Sequence, residues 1–237
     1  MEAVCEFRLG RAVRWDLTVP GLLYERLKGE FPEREQRLIQ EVEVASSPQV
    51  LQQTIRVHEA VLFFGPGRRM FVQLGPHLLA IHVLQPYPTW VDFRPRIQGA
   101  LLGLAEVLQG GKLQFERIGL RYVNRIEVPS SEGVLSRARH YLRLYPFLDR
   151  DFPQSVHGFD VSCLFSYAGG GDLCRLRLMS EPDGPALQLD IDYFLAAPRD
   201  FSASEALEWV DDAHDRVEEL FEASLTDELR VLFEPTS

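Results

Sequence analysis

The sequence predicts an α+β protein, a strongly bent or barrel-like antiparallel sheet packed on two long helices. Short segments with apolar residues at every second position recur between Gly- and Pro-containing turns, the mark of half-buried antiparallel strands. Two longer stretches, 90–109 and 202–225, instead space their apolar residues three and four apart, as a helix with one buried face requires. Two blocks, 51–109 and 156–225, repeat the order of three strands and a long helix with negligible identity. That order suggests an internal β-β-β-α duplication inside a single domain, with structural halves at 1–128 and 129–237.

Residues 3–15 read as the first strand, with Val4, Phe7 and Leu9 among its apolar positions. Pro20-Gly21 opens a short helix through Leu22, Leu23, Tyr24 and Leu27, which stops at Gly29 and Pro32. Strands follow at 35–45, 51–64, 69–74 and 77–84, the last three joined at Gly65-Pro66-Gly67 and Gly75-Pro76. The helix at 90–109 aligns Phe93, Ile97, Leu101, Leu104 and Leu108, carries Pro95 in its first turns, and ends at Gly110-Gly111. A long strand covers 113–128. A short helix at 136–144 and a connecting loop at 145–153 lead to strands at 156–167, 173–179 and 186–195. Gly169-Gly170-Gly171-Asp172 and Pro182-Asp183-Gly184 supply their turns. Ser202 or Ser204 caps the final helix, whose apolar stripe is Val210, Ala213, Val217, Leu220, Phe221 and Leu225.

With 237 residues, 46% of them apolar, the chain is long enough to bury a core without disulfide or metal staples. No apolar run approaches the roughly 18 residues of a membrane span, so no membrane association is expected. The N-terminal residues lack the basic and apolar regions of a secretory signal. Cys5, Cys163 and Cys174 have no metal-ligand spacing and leave one thiol over, which suits a reducing cytosol. Of the net charge of −10, the segment 201–237 carries −9, with eleven acids against Arg216 and Arg230. The rest of the chain is almost neutral, so the acidity belongs to one C-terminal element. Lys28 and Lys112 are the only lysines, and the other bases are arginines, whose planar forks suit carboxylates and phosphates.

Several strings have a familiar look: Trp15-Asp16 with Pro20-Gly21-Leu22-Leu23-Tyr24, Gln73-Leu74-Gly75-Pro76, Pro86-Tyr87-Pro88-x-Trp90, and Arg117-Ile118-Gly119-Leu120-Arg121-Tyr122-Val123-Asn124-Arg125-Ile126. Leu189-Asp190-Ile191-Asp192-Tyr193, Ala213-His214-Asp215 and Thr226-Asp227-Glu228-Leu229-Arg230 continue the series. Together they resemble a sporadically distributed bacterial protein family of unknown function, along essentially the whole chain except 129–171. The resemblance implies one integral domain and assigns no catalytic residue. A patchy distribution implies an accessory gene, such as a defence or toxin–antitoxin component.

The richest segment is the strand at 117–126. Alternation puts Arg117, Arg121 and Arg125 on one side, about 6.5–7 Å apart, with Gly119 and Val123 between them. Ile118, Leu120, Tyr122, Asn124 and Ile126 take the other side. On 186–195, Gln188, Asp190 and Asp192 likewise share a face. Two readings follow. In one, the arginine row, with Asn124, Asp190 and Asp192 nearby, is a ligand site for phosphates or carboxylates. In the other, arginines and aspartates form a cross-strand ion-pair ladder lining a barrel interior, which Arg175 and Arg177 join. Asp190-x-Asp192 has the look of a divalent-cation pair, but two acids beside arginines are too few to assign a metal.

On the last helix, Asp211, His214 and Glu218 fall near one stripe, a pattern that ligates metals but equally describes a solvated acidic face with a boundary histidine. Asp211, Asp212, Asp215 and Glu218 are candidate residues for docking a basic partner protein. The aromatics of Pro86-Tyr87-Pro88-Thr89-Trp90 staple the start of a helix or stack on a ring. No nucleophile elbow, phosphate-binding glycine loop, dinucleotide fingerprint or zinc-finger pattern occurs, so no catalytic residue and no cofactor are assigned. The expectation is a cytosolic, non-catalytic binding protein working with a protein partner. The alternatives are a nucleotide- or RNA-binding protein, even an enzyme, that holds phosphates on Arg117, Arg121 and Arg125, and a structural homo-oligomer whose edge strands pair between copies.

Overall fold

A computed structural model describes all residues except 1, 48–49, 86, 129–132, 147–155, 168, 170, 182–183, 185 and 234–237. The side chains of 39–58 and of 233 also lie outside the described set. Parts of the loop expected at 145–153 and of both turns around 169 and 183 therefore lie outside it, as does Pro86.

Ten strands, β1 (Glu2–Leu9), β2 (Glu33–Ser47), β3 (Val50–Phe64), β4 (Met70–Gly75), β5 (Leu78–Val83), β6 (Leu113–Glu127), β7 (Asp160–Ser166), β8 (Asp172–Ser180), β9 (Ala186–Leu195) and β10 (Arg199–Phe201), form an antiparallel sheet in the order β2-β3-β4-β5-β1-β6-β9-β8-β7, with β10 also paired to β6. Among the described residues the two ends of this order, β2 and β7, are not paired to each other, so the sheet is open and its pairing does not close a barrel. The chain falls into two compact units, one of Val4–Ile118 with Pro198–Leu207, the other of Met1–Ala3, Gly119–Ala197 and Glu208–Ser237. The chain therefore passes between the units at 3–4, 118–119, 197–198 and 207–208, the second of these within β6.

Strand β1 (Glu2–Leu9), which belongs to the first unit from Val4 onward, buries Ala3, Cys5, Phe7 and Leu9 in strict alternation, which leaves Val4 on the opposite face. The strand is shorter than its alternation suggests, because a turn in which Val13 N donates to Gly10 O ends it. Helix α1 (Val19–Leu27) carries Pro20 at its start and buries Val19, Leu23 and Leu27. The long hairpin of β2 (Glu33–Ser47) and β3 (Val50–Phe64) continues through β4 (Met70–Gly75) and β5 (Leu78–Val83). Helix α2 (Trp90–Val107) buries Phe93, Ile97, Ala100, Leu101 and Leu104, and tolerates Pro95 near its start. Its beginning is stapled by aromatic edges: Tyr87 and Trp90 each lie 6.1 Å from Phe93. The three-residue strand β10 (Arg199–Phe201) pairs with Leu113–Phe115 of β6 (Leu113–Glu127).

The second unit contains the rest of β6, α3 (Val134–Tyr141), β7 (Asp160–Ser166), β8 (Asp172–Ser180) and β9 (Ala186–Leu195). One face of β6, β9 and β8 is apolar and buried: Leu120, Tyr122 and Ile126, then Leu187, Leu189 and Ile191, then Cys174, Leu176 and Leu178. Helix α4 (Ala203–Ser224) buries Trp209, Val210, Ala213 and Val217 and is followed by a separate helix, α5 (Asp227–Phe233). The orders β3-β4-β5-α2 and β7-β8-β9-α4 run in parallel, with β10 inserted in the second.

The structure selects Ser202 over Ser204 as the cap of α4. Ser202 Oγ accepts from Glu205 N (3.2 Å) while Ser202 N donates to Glu205 Oε2 (2.7 Å), a reciprocal capping box. These hydrogen bonds hold the Glu205 carboxyl below its ordinary pKa, with Lys112 adding to the effect. Ser202→Ala is expected to lower stability by about 1 kcal/mol, read as a lower urea midpoint at unchanged slope.

Candidate functional site

Strand β6 keeps the alternation its sequence predicts. Ile118, Leu120, Tyr122, Asn124 and Ile126 are buried, while Arg121 and Arg125 are exposed and Arg117 is half-buried. Arg117 belongs to the first unit, where its Nε lies 3.2 Å from Glu6 Oε1. Arg121 and Arg125 belong to the second unit and share a sheet face with Asp190 and Asp192 of β9 and with Arg175 and Arg177 of β8.

The register sets Arg121 opposite Asp192 and Val123 opposite Asp190. Arg121 reaches diagonally and grips Asp190 with a two-point fork, Nε to Oδ1 at 2.8 Å and Nη2 to Oδ2 at 2.6 Å. The partners differ in burial: Asp190 is 6% exposed, whereas the Arg121 side chain is 48% exposed. Hydrogen bonding to Asp190 raises the Arg121 pKa, partial burial opposes it, and Asp192 and Glu2 reinforce it. Arg125 holds Glu181 through Nε–Oε1 at 2.5 Å and Nη2–Oε2 at 2.9 Å, and also pairs with Glu127. Arg177 forks onto Asp160 of β7, Nε to Oδ1 at 2.8 Å with a second contact to Oδ2, and this lowers the Asp160 pKa. Arg177 also feels the charges of Asp190 and Arg121, so the Arg121–Asp190 and Arg177–Asp160 pairs form one electrostatic network across four strands.

This arrangement constrains the chemistry. Both oxygens of Asp190 are occupied by Arg121, which removes them as ligands for a cation in Asp190-x-Asp192. No group of three or more His, Cys, Asp or Glu suited to a metal occurs among the described residues. Asn124 does not join the arginines: it is buried on the opposite face, its Oδ1 without a hydrogen-bond partner among the described residues. Arg175 is exposed, has no carboxylate partner among the described residues, and holds its guanidinium 5.8 Å from the Phe194 ring centre.

On α4, Asp212, Asp215 and Glu218 are exposed and Asp211 is half-buried. His214 is not grouped with these acids as a metal site would require; its Nδ1 lies 3.2 Å from the Tyr122 hydroxyl. Burial lowers its pKa, against the opposing charges of Glu218, Asp215 and Asp211. Four acids that the sequence patterns do not single out turn out to organise basic and aromatic groups. Asp172 accepts from Trp209 Nε1 (3.1 Å) and the Tyr193 hydroxyl (3.3 Å), tying β8 and β9 to α4. Glu6, Asp160 and Glu181 each take up an arginine. Their signal, an acid near a turn or on a neighbouring strand, is too common in sequences to select a partner.

No family model, no curated protein and no solved structure matches this chain. No helix among the described residues is long and apolar enough to cross a membrane.

Proposed function

We propose that the chain is a non-catalytic interaction protein that engages a basic protein partner through the outer face of α4. The observation that carries this reading is a contrast in charge pairing. Arg117, Arg121 and Arg125 are each engaged by a carboxylate of the same chain, so the arginine strand offers little charge to a ligand. Glu208, Asp212, Asp215 and Glu218 of α4 are exposed and meet no cation among the described residues. At helical rise they extend over about 15 Å, a stripe able to steer a basic surface and to set its orientation. The resemblance to a patchily distributed bacterial family agrees with an accessory role beside a partner encoded nearby, in a defence or toxin–antitoxin setting.

The test is affinity capture from the native host at low salt, repeated with an Asp212→Asn, Asp215→Asn, Glu218→Gln variant. A specific protein that elutes as salt rises and associates at least tenfold more slowly with the variant is expected. No captured protein, or capture indifferent to the three substitutions, overturns the reading.

A second reading, phosphate binding by a nucleotide or RNA, is favoured by one observation, the exposed Arg175 beside the Phe194 ring. Titration with a fluorescent nucleotide, wild type against Arg175→Ala, decides it: binding lost in the variant supports it, and no binding by the wild type removes it.

A further inference from the structure

We propose that β7 is the interface of a homodimer, in which two copies pair their β7 strands antiparallel about a two-fold axis at Cys163 and so join their sheets edge to edge. β7 stands at one end of the strand order, and among the described residues it pairs on one side only, with β8. The register tells which of its backbone groups are already used. Ser180 N donates to Phe159 O and Tyr167 N donates to Asp172 O, both at 3.1 Å. Hydrogen-bonded pairs alternate along an antiparallel ladder, so Val161, Cys163 and Phe165 exchange bonds with Leu178, Leu176 and Cys174. The N–H and C=O groups of Asp160, Ser162, Leu164 and Ser166 then point away from β8, along the outer edge.

Such an edge templates another strand unless something guards it, commonly a lysine, a proline or a bulge. Between Asp160 and Ser166 there is no lysine, arginine or proline, and the one acid is already paired with Arg177. The edge instead exposes Leu164 (57%) and Phe165 (39%).

The chemistry of this strand fits a second copy of itself. Centring the pairing on Cys163 sets Ser162 against Leu164 of the other copy and Asp160 against Ser166, all four in hydrogen-bonding positions. On the opposite face Phe165 meets Val161 of the other copy. No like charges are opposed, and the exposed Phe165 is covered by an aliphatic side chain. The two Cys163 residues face each other in a non-hydrogen-bonded pair, Cα atoms about 4.5 Å apart, a separation a disulfide can span. This interface involves no α4 acid, so it stands or falls separately from the basic-partner reading.

Sedimentation equilibrium of the full chain over a concentration series is expected to show the mass rising from 27.1 kDa toward twice that value. Mild oxidation should trap a covalent dimer that Cys163→Ser abolishes, since Cys5 and Cys174 are buried. Two variants break the edge by different routes. Leu164→Lys places a charge at an exposed position in the interface, and Ser162→Pro deletes an N–H that makes no bond to β8. Each should weaken dimerisation at least tenfold with an unchanged circular dichroism spectrum; should one fail to fold, the other decides. A chain monomeric at every concentration, a dimer that forms no Cys163 cross-link, or a dimer that the folded variants do not weaken overturns the proposal. A monomer that instead accepts a β-strand from a different protein overturns it equally.

Discussion

Arg121→Ala is expected to lower the unfolding free energy by about 2–3 kcal/mol. Breaking a fully buried ion pair costs about 3–5 kcal/mol and breaking an exposed one about 0–1. This pair lies between, because Asp190 is 6% exposed and the Arg121 side chain 48%. The loss is lopsided. Truncating the arginine removes both hydrogen bonds of the fork and leaves a carboxylate enclosed between β6 and β8, with Arg177 as the nearest remaining cation of the network. Asp190→Asn added to Arg121→Ala should therefore recover part of the loss, since a neutral amide is cheaper to enclose than an unpaired carboxylate. A double-mutant cycle in urea, read from midpoints at constant slope, measures the coupling. A single variant within 0.5 kcal/mol of wild type would show that the fork is not structural, and would return the strand to the ligand-binding reading.

The parts of this molecule legible in the sequence are those whose signal is periodic. β6 is the clearest case: its odd and even residues separate into charged and apolar sets, and burial follows that separation from Leu120 to Ile126. The apolar stripe of α4 is nearly as clear, with Val210, Ala213 and Val217 buried, although Leu220 and Phe221 remain half-exposed toward its end. Short or aperiodic elements were opaque. Three residues of β10 carry no period, and the alternation of Val13 and Trp15 continues past the turn at Gly10 that ends β1. The Ser202–Glu205 box was present in the sequence but masked by a second serine two residues on. The ion pairs sit at a different level. That arginines and aspartates face the same side follows from alternation, but the choice of Asp190 over the directly opposite Asp192 follows from register and side-chain reach. Glu181 and Asp160 come from sequence positions far from the arginines they hold, where no local pattern points to them.

The second large effect concerns acid. His82 of β5 lies opposite Phe71 of β4, their rings stacked with centres 4.4 Å apart, and burial pushes its pKa from 6.5 down to about 4, against the attraction of Glu6 for the charged form. The folded protein therefore keeps this imidazole neutral in a range where the unfolded chain would protonate it. Above pH 6.5 both states are neutral there and the group has no influence. Between pH 6.5 and about 4 the unfolded state binds the extra proton, so stability falls as pH falls, by about 1.4 kcal/mol per unit and about 3 kcal/mol in all. Below pH 4 both states are protonated and the slope vanishes. His214 acts in the same direction as His82 within this window, whereas the carboxylates lowered by their arginines lose their contribution below it, from the ordinary values of 4.5 for Glu181 and 3.8 for Asp160 downward. A His82→Phe variant separates them, because it keeps an aromatic ring against Phe71 and leaves every other group in place. The difference in unfolding free energy between wild type and variant should be flat above pH 6.5 and should shift steadily in favour of the variant down to pH 4. A difference that stays constant across that range would mean that water or a rearranged β4–β5 hairpin solvates the imidazolium, and that the acid sensitivity of the fold resides in its ion-pair ladder instead.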